Sequence, residues 1–308
     1  MKAMRIHQYG GPDVLTCEDI PRPGCNPGEV LIKVRAIGVN PVDWKLREGY
    51  VRSIFDIPMP SILGADVAGI VEETGAGAGK FKPGDEVYSM IGLTGAYAEF
   101  VTVAEDLVAA KPRTADFVQA ASVPLAALTA WQGLFDHGKL AAGQTVLVHA
   151  AAGGVGMFGV QFARAHGASV IATASANNAA FVSSLGAAKV VDFRTGTAEV
   201  SAGSVDLVLD MVGGDSIRQC LEVLKPGGKL MRVSPGSEDI TAQAAAGKVD
   251  VIPVMVTPNA EQLREIAELI DAGAVTTEVQ ASFALEDAAQ AHQLSAQGHT
   301  RGKIVLTC

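Results

Sequence analysis

The chain has 308 residues, of which 48% are hydrophobic and 19% charged, a balance that supplies buried cores for one large or two ordinary domains and excludes disorder. Its net charge of −9 argues against nucleic acid as a partner, because phosphate contacts need a basic face. No apolar run approaches the roughly 18 to 20 residues of a bilayer span, and the opening MKAMRIHQYGG carries no signal-peptide apolar region, so a soluble cytoplasmic protein without a membrane partner is expected.

The first 115 residues or so read as mostly β. Short alternating runs such as Glu29-Val30-Leu31-Ile32-Lys33-Val34-Arg35-Ala36 are broken by Gly10-Gly11-Pro12, Pro27-Gly28, Gly75 to Gly79 and Pro83-Gly84, the punctuation of a compact, partly barrel-like β unit. From Thr114 the texture becomes Ala-rich and helical, and a β–α–β series follows. Its parallel-strand candidates are Val146 to Val148, Ser169 to Thr173, Lys189 to Asp192, Val205 to Asp210, Gly228 to Val233 and Val251 to Val254. That alternation is a doubly wound sheet. The tail reads as helices over Ala260 to Asp271 and Glu286 to Gln297, then a closing strand, Gly302-Lys303-Ile304-Val305-Leu306. Periodicity does not say which sheet that strand joins.

The stretch from Val146 to Val170 is the most informative. An apolar run leads into Ala150-Ala151-Ala152-Gly153-Gly154-Val155-Gly156, then a segment with Val155, Phe158, Phe162 and Ala163 on one side, then Gly167 and a second strand. Strand, glycine turn, helix, strand is the context in which a glycine turn means a dinucleotide. A Cβ in the turn would hold a pyrophosphate away from the backbone N–H groups, and the helix N-terminus offers unpaired donors and a positive dipole end. Ala152, Gly153, Gly154, Val155 and Gly156 are therefore cofactor-binding candidates. An NAD site usually places an acid about 20 residues further on. Here the strand runs into Thr173-Ala174-Ser175-Ala176-Asn177-Asn178, so NADPH is favoured over NADH, with Ser175 and Asn177 as candidates for the 2′-phosphate. No Lys or Arg lies between Arg164 and Lys189, so any cationic contact has to come from elsewhere, with Arg194 or Arg301 as the options.

Several segments together resemble the zinc-independent quinone oxidoreductases of the medium-chain dehydrogenase/reductase superfamily. They are Gly38-Val39-Asn40-Pro41-Val42-Asp43-Trp44-Lys45, Gly64-Ala65-Asp66-Val67-Ala68-Gly69, Phe81-Lys82-Pro83-Gly84-Asp85-Glu86-Val87-Tyr88, Gly95-Ala96-Tyr97-Ala98-Glu99-Phe100, the glycine turn, Asp210-Met211-Val212-Gly213-Gly214 and Gly302-Lys303-Ile304-Val305-Leu306. The resemblance covers nearly the whole chain. It implies an α/β fold: a GroES-like, partly open β-barrel catalytic domain from residues 1–115 and 275–308, with a Rossmann NADP(H)-binding domain, residues 116–274, inserted as a doubly wound parallel sheet. It also implies a homodimer or a pair of dimers, and it alone returns the tail to the first domain. Zinc members of the superfamily carry Cys where this chain has Asn40 and a His-Glu pair where it has Ala65-Asp66. Cys17, Cys25, Cys220 and Cys308 form no CxxC and read as unpaired thiols, so no metal is expected.

A nicotinamide delivers hydride while the protein positions the acceptor. A quinone or an enone takes that hydride as charge moves onto its oxygen, and a donor near the oxygen stabilises it. The Asn40 amide, the Tyr50 hydroxyl and Thr129 are the catalytic candidates, and the resemblance sets Asn40 and Thr129 near the nicotinamide end of the cleft. Related enoyl reductases use a Tyr a little after such an Asn as proton donor, although here the spacing to Tyr50 is short by one residue. Asp43 reads as a cap for a helix starting at Trp44, Asp66 as a buried carboxylate bonded to backbone, and His149 as a structural strand-end residue. By resemblance Lys303 runs beneath the substrate cleft, to contact the cofactor or fix Asn40. The same resemblance implies that Val212 and Gly213 lie on a loop passing close over the cofactor, Val233 and Ser234 beside the nicotinamide, and Val256 near its carboxamide. The reading is an NADPH-dependent, zinc-free reductase of quinones, with α,β-unsaturated carbonyls as the alternative substrate. A non-catalytic NADPH-binding redox sensor is the rival of another class, and a methyltransferase loop for S-adenosylmethionine a remote third.

Overall fold

The computed structural model describes residues 1–195, 199–234 and 240–308. The chain divides into two compact units, Met1–Leu125 with Thr257–Cys308, and Ala126–Val256.

In chain order the first unit begins with β1 (Lys2–Ile6), β2 (Thr16–Asp19), β3 (Glu29–Val39), α1 (Pro41–Arg47), β4 (Ser61–Ile62), β5 (Asp66–Thr74), β6 (Glu86–Met90), β7 (Phe100–Ala104), β8 (Val108–Ala110) and α2 (Phe117–Ala121). The second unit takes up α3 (Pro124–Trp131), β9 (Thr145–His149), α4 (Gly154–Ala165), β10 (Ser169–Ala174), α5 (Ala179–Ser184), β11 (Lys189–Asp192), β12 (Val205–Asp210), α6 (Ser216–Val223), β13 (Leu224–Arg232), α7 (Thr241–Gly247) and β14 (Asp250–Pro253). The chain then returns to the first unit with α8 (Ala260–Asp271), β15 (Val279–Ala284), α9 (Ala288–Ala296) and β16 (Lys303–Thr307).

The first unit holds a three-stranded sheet, β2-β1-β4, and a seven-stranded sheet, β15-β16-β3-β5-β6-β8, with β7 also on β3. β3 is the spine. It runs past the alternating segment to Val39 because it pairs along its length with β5, at its start with β7 and at its end with β16. The closing strand is thereby placed: Ile304 lies opposite Val39 and Thr307 opposite Ala36. Leu285, Ala288, Ala291, Ile304 and Leu306 from the tail share one core with Ile32, Val34 and Val67, so the tail completes a hydrophobic interior that the first 125 residues leave open. Two glycines permit close approach. A Cβ on Gly38 would lie 2.4 Å from the Ala121 carbonyl and 2.9 Å from Asp66 Oδ2, and one on Gly69 would lie 2.3 Å from the Lys33 carbonyl.

The second unit is a six-stranded sheet in the order β11-β10-β9-β12-β13-β14, parallel throughout. Chain order reverses direction at β9, so β9 and β12 flank a topological switch point, where ligands bind beyond the carboxyl ends of the strands. Val146, Leu147 and Val148 are fully buried, as a strand covered on both faces requires.

Residues 116–125 and 257–274 fall with the first unit, whereas the sequence reading groups them with the dinucleotide domain. The physical reason is packing: α2 lies on β3 and β5 and α8 on β8. The Tyr88 hydroxyl donates to the Leu263 carbonyl, and Asp271 accepts from the Thr114 N–H at 3.0 Å and from Arg113 Nε at 3.0 Å. Helical texture in sequence says nothing about which sheet a helix covers.

Candidate active site

In the second unit the candidate cofactor residues gather at the carboxyl ends of the parallel strands. Ala152 to Gly156 follow β9, Ser175 and Asn177 follow β10, Val212 and Gly213 follow β12, Val233 and Ser234 follow β13, and Val256 follows β14. The turn after β9 is fixed by Thr173, whose hydroxyl accepts from the Ala150 N–H at 3.0 Å and whose carbonyl accepts from the Ala151 N–H at 2.9 Å. Ala150 adopts φ 58°, a left-handed conformation that costs a non-glycine residue of order 1 kcal/mol or more and concentrates at functional turns. No feature of the sequence announces it.

The glycines of the turn do different jobs. A Cβ on Gly156 would lie 2.4 Å from the Ala150 carbonyl and 2.6 Å from Ala151 Cα, so this glycine lets α4 close on the strand end. A Cβ on Gly153 would meet nothing nearer than the Ala150 carbonyl at 3.5 Å. The protein's own packing leaves that space open, beside the first turn of a 12-residue helix whose N–H groups lack intrahelical partners. This is a cradle that fits a pyrophosphate.

The loop after β12 is held by its own carboxylate. Asp210 accepts from the Val212 N–H and the Gly213 N–H, each at 3.0 Å, and bonds His149 Nδ1 at 2.8 Å. Gly213 and Gly214 take φ 70° and 62°, as the sharp return of the loop requires. Burial pushes the Asp210 carboxyl up, but His149 and the two N–H groups outweigh it and its pKa is lowered. Cys220 Sγ is 3.7 Å from the same His149 nitrogen, and burial raises its thiol pKa. The ligand atoms of His149, Asp210 and Cys220 lie within 4.8 Å of one another. An ion bonded at about 2.0 Å to a nitrogen and an oxygen only 2.8 Å apart would be forced near ~90°. The geometry fits a hydrogen bond, not a tetrahedral metal site.

Neither cation that the sequence offers for a 2′-phosphate is idle. Arg194 engages Asp192 through Nη2 at 2.6 Å, which holds that carboxyl at about 2, and Arg301, in the first unit, lies 2.9 Å from Glu278. Ser175 is half-buried and Asn177 exposed. Thr129 is buried on α3, 3% exposed.

In the first unit Asn40 is the N-cap of α1. It lies in a network with almost no solvent access: Asn40, Asp43, Asp66 and Lys303 are all buried. Lys303 Nζ donates to Asn40 Oδ1 and to the Val39 carbonyl, and stands 3.9 Å from Asp66 Oδ2. Asn40 Nδ2 donates to Asp66 Oδ2 at 2.9 Å, and Asp66 Oδ1 accepts the Leu125 N–H at 2.8 Å. Burial pushes Asp66 up to about 6, against the pull of Lys303, Asn40 and the Leu125 N–H. Burial likewise lowers Lys303, against Asp66 and Asp43. Asp43 is the third helical residue rather than the cap: with Pro41 at the first position, α1 starts three residues before Trp44, and Asp43 Oδ2 accepts the Asn40 N–H at 2.8 Å. Tyr50 lies after α1, 70% exposed, with its ring edge-on to Trp44 at 5.9 Å.

This arrangement has a chemical consequence. An amide has two N–H bonds, and Asn40 spends one on Asp66. The lysine ammonium on its oxygen polarises the amide and fixes which way it faces. The remaining N–H, on an amide held at both ends, has no hydrogen-bond partner among the described residues. The same geometry speaks against zinc at this place, because the cation lodged beside the Asn40 and Asp66 oxygens is already the Lys303 ammonium.

Sequence reasoning missed Arg47, Tyr97 and His292 as members of this cluster. All three are buried and are joined to Asp43 by hydrogen bonds. Arg47 ends the short helix α1, and only the tertiary fold brings His292 of α9 to it.

A family model described as alcohol dehydrogenase GroES-like domain matches residues 26–113, and one described as zinc-binding dehydrogenase matches residues 185–306. The chain is 35% identical to a quinone oxidoreductase of Rattus norvegicus, covering 99% of this chain and 97% of that one. It is 36% identical to an NADPH-dependent alkenal/one oxidoreductase of the Arabidopsis thaliana chloroplast, covering 99% of this chain and 79% of the relative. The crystal structure of the Escherichia coli quinone oxidoreductase complexed with NADPH superposes with a TM-score of 0.91 at 28% identity, covering 100% of each chain. With a GroES-like first unit, a Rossmann-like second unit and full-length relatives, the chain belongs to the quinone oxidoreductase family of the medium-chain dehydrogenase/reductase superfamily.

Proposed function

We propose that the protein is an NADPH-dependent, zinc-free oxidoreductase that reduces quinones. The observation that carries this reading is Asn40, buried, clamped at its oxygen by Lys303 and at one amide hydrogen by Asp66, with its second amide hydrogen left to donate. NADPH, when bound, supplies the hydride. Ala152 to Gly156 would hold its pyrophosphate, Val212, Gly213, Val233, Ser234 and Val256 would border its nicotinamide half, and Ser175 with Asn177 would bond the 2′-phosphate. Arg194 can join them only by leaving Asp192. Asn40 stabilises the negative charge that forms on the acceptor oxygen, and Lys303 and Asp66 orient it. Two electrons and one proton leave with the hydride, and one further proton from water completes the hydroquinone.

Quinone is preferred to enone because of where that last proton goes. Protonation of a hydroquinone oxygen needs no dedicated acid, whereas an enolate carbon benefits from a positioned one, and the Tyr50 hydroxyl is exposed with no hydrogen bond among the described residues. The second reading, reduction of an alkenal double bond, rests on the likeness to the alkenal/one oxidoreductase. A homodimer accompanies the proposal, on the strength of the resemblance, and light scattering would give twice the 31.7 kDa chain mass.

The test follows NADPH absorbance with 1,4-benzoquinone, 9,10-phenanthrenequinone and a medium-chain 2-alkenal in parallel, with NADH as control. Rapid oxidation with the quinones supports the proposal. Turnover of the alkenal alone would replace it with the second reading, and NADPH binding without any turnover would make the protein a redox sensor.

A further inference from the structure

A line of hydrogen bonds runs from the surface of the first unit to Asn40, through side chains brought together from three stretches of chain. Arg47 donates through Nε to the Gly10 carbonyl at 3.1 Å and through Nη2 to Glu48, and its Nη1 lies 3.0 Å from His292 Nδ1. His292 Nε2 is 2.9 Å from the Tyr97 hydroxyl, which is 2.9 Å from Asp43 Oδ2. Asp43 Oδ2 also takes the Asn40 backbone N–H at 2.8 Å. Arg47, His292, Tyr97 and Asp43 are 1%, 0%, 0% and 0% exposed, while Glu48 keeps 27% of its side chain in solvent.

The direction of every bond is forced. A guanidinium only donates, so His292 Nδ1 is an acceptor without a proton. Burial, with Arg47 beside it, pushes the His292 pKa down to about 3, so the ring is neutral and its proton is on Nε2. That proton goes to the Tyr97 oxygen. Tyr97 has one hydrogen and gives it to Asp43. Asp43 Oδ2 is then an acceptor on both sides, and Oδ1 has no partner among the described residues, so Oδ1 is where the carboxyl gains or loses its proton.

We infer that Tyr97 and His292 are positioning residues for Asn40, acting through Asp43: the one-way line from Arg47 aims the Asp43 carboxylate at the Asn40 backbone N–H and so holds the backbone from which the donating side-chain amide projects. The inference rests on the proposed role of Asn40. The groups facing Asp43 are Tyr97, Lys303 of β16 and Asp66 of β5, with His292 of α9 and Arg47 of α1 behind Tyr97. Burial first, then Asp66, push Asp43 up to about 7, and the Asn40 N–H, Tyr97 and Lys303 pull the other way. The carboxylate form grips the Asn40 N–H more strongly than the acid does, so turnover rises with pH as Asp43 ionises.

The test is Tyr97→Phe, which keeps the ring and deletes the donor. The stretch of the protonated Asp43 carboxyl, identified by its loss in Asp43→Asn, is followed by infrared spectroscopy against pH, beside the pH profile of kcat with NADPH and 1,4-benzoquinone. The expected result is a titration midpoint and a kcat limb both moved up by about one pH unit. Below the limb kcat falls roughly tenfold to a hundredfold, with KM for NADPH unchanged. A midpoint that moves while kcat does not would overturn the positioning role, as would a variant that moves neither. In the unaltered protein, nitrogen NMR of His292 should report the neutral Nε2–H form throughout about pH 5 to 8. An Nδ1–H form or an imidazolium would overturn the line even if Tyr97→Phe fails to fold. The infrared and NMR readouts need no turnover, so an unaltered protein inactive toward every acceptor would count against the functional reading and leave them to decide the line.

Discussion

The two units solve opposite problems. In the first, chemistry rests on side chains: Lys303, Asp66, Asp43 and Arg47 are charged groups withdrawn from water, each tolerable only because another neutralises or hydrogen-bonds it. In the second, chemistry rests on backbone: the turn after β9, the first N–H groups of α4 and the loop after β12, shaped by glycine conformations and by the Thr173 and Asp210 side chains. The first unit should therefore break when a side chain is removed, and the second when one is added.

The largest effect is predicted for Lys303→Met, which strands Asp66 and Asn40. Losing one partner of a buried charged pair costs about 3–5 kcal/mol, measurable by denaturant unfolding, and a loss below ~1 kcal/mol would mean that the network is not the stabilising set described. Next, Gly156→Val drives a side chain into the Ala150 carbonyl at 2.4 Å. A stability loss of about 1–3 kcal/mol should accompany loss of NADPH binding. Its counterpart Gly153→Ala meets only a contact at 3.5 Å and should fold normally while weakening NADPH, seen by isothermal titration. Equal unfolding in both variants would erase the distinction between packing glycine and cradle glycine.

A smaller effect comes from pH. Asp43 is raised from 3.8 to about 7 and Asp66 from 3.8 to about 6. The folded state thus holds these protons more tightly than the unfolded chain, so their contribution to stability is full at low pH and is lost as pH rises through about 4 to 7. Asp43→Asn removes its share of that slope. The Tm of the unaltered protein minus that of the variant should fall across the window, and a difference that rises instead would reverse the sign. The smallest effect is expected at the end of β10, where Ser175→Ala and Asn177→Ala each delete one hydrogen bond worth about 1 kcal/mol. Unchanged NADPH affinity in both would show that they do not bind the 2′-phosphate. Tyr50→Phe should leave quinone turnover unaltered.

The contrast also explains what could be read in advance. The second unit was legible because its signals are local: strand, glycine turn and helix follow one another, and Lys189–Asp192 and Val205–Asp210 form elements where the patterns end. The first unit's network was not. Asp43 looked like a cap for Trp44 because local spacing cannot show that Pro41 opens the helix with Asn40 as its cap. Lys303 and Asn40 are 263 residues apart, and Arg47 and His292 are 245 apart. Only the family resemblance brought the tail strand toward Asn40, and nothing in periodicity marked Arg47 as buried.

The most direct measurement compares Asn40→Ala with the unaltered protein, taking NADPH affinity by titration and kcat/KM for 1,4-benzoquinone by absorbance. If the acceptor's charge is stabilised by the clamped amide while the cofactor is held by the second unit's backbone, NADPH affinity will be unchanged and kcat/KM will fall about 100-fold or more. Undiminished turnover in a folded variant would contradict the account.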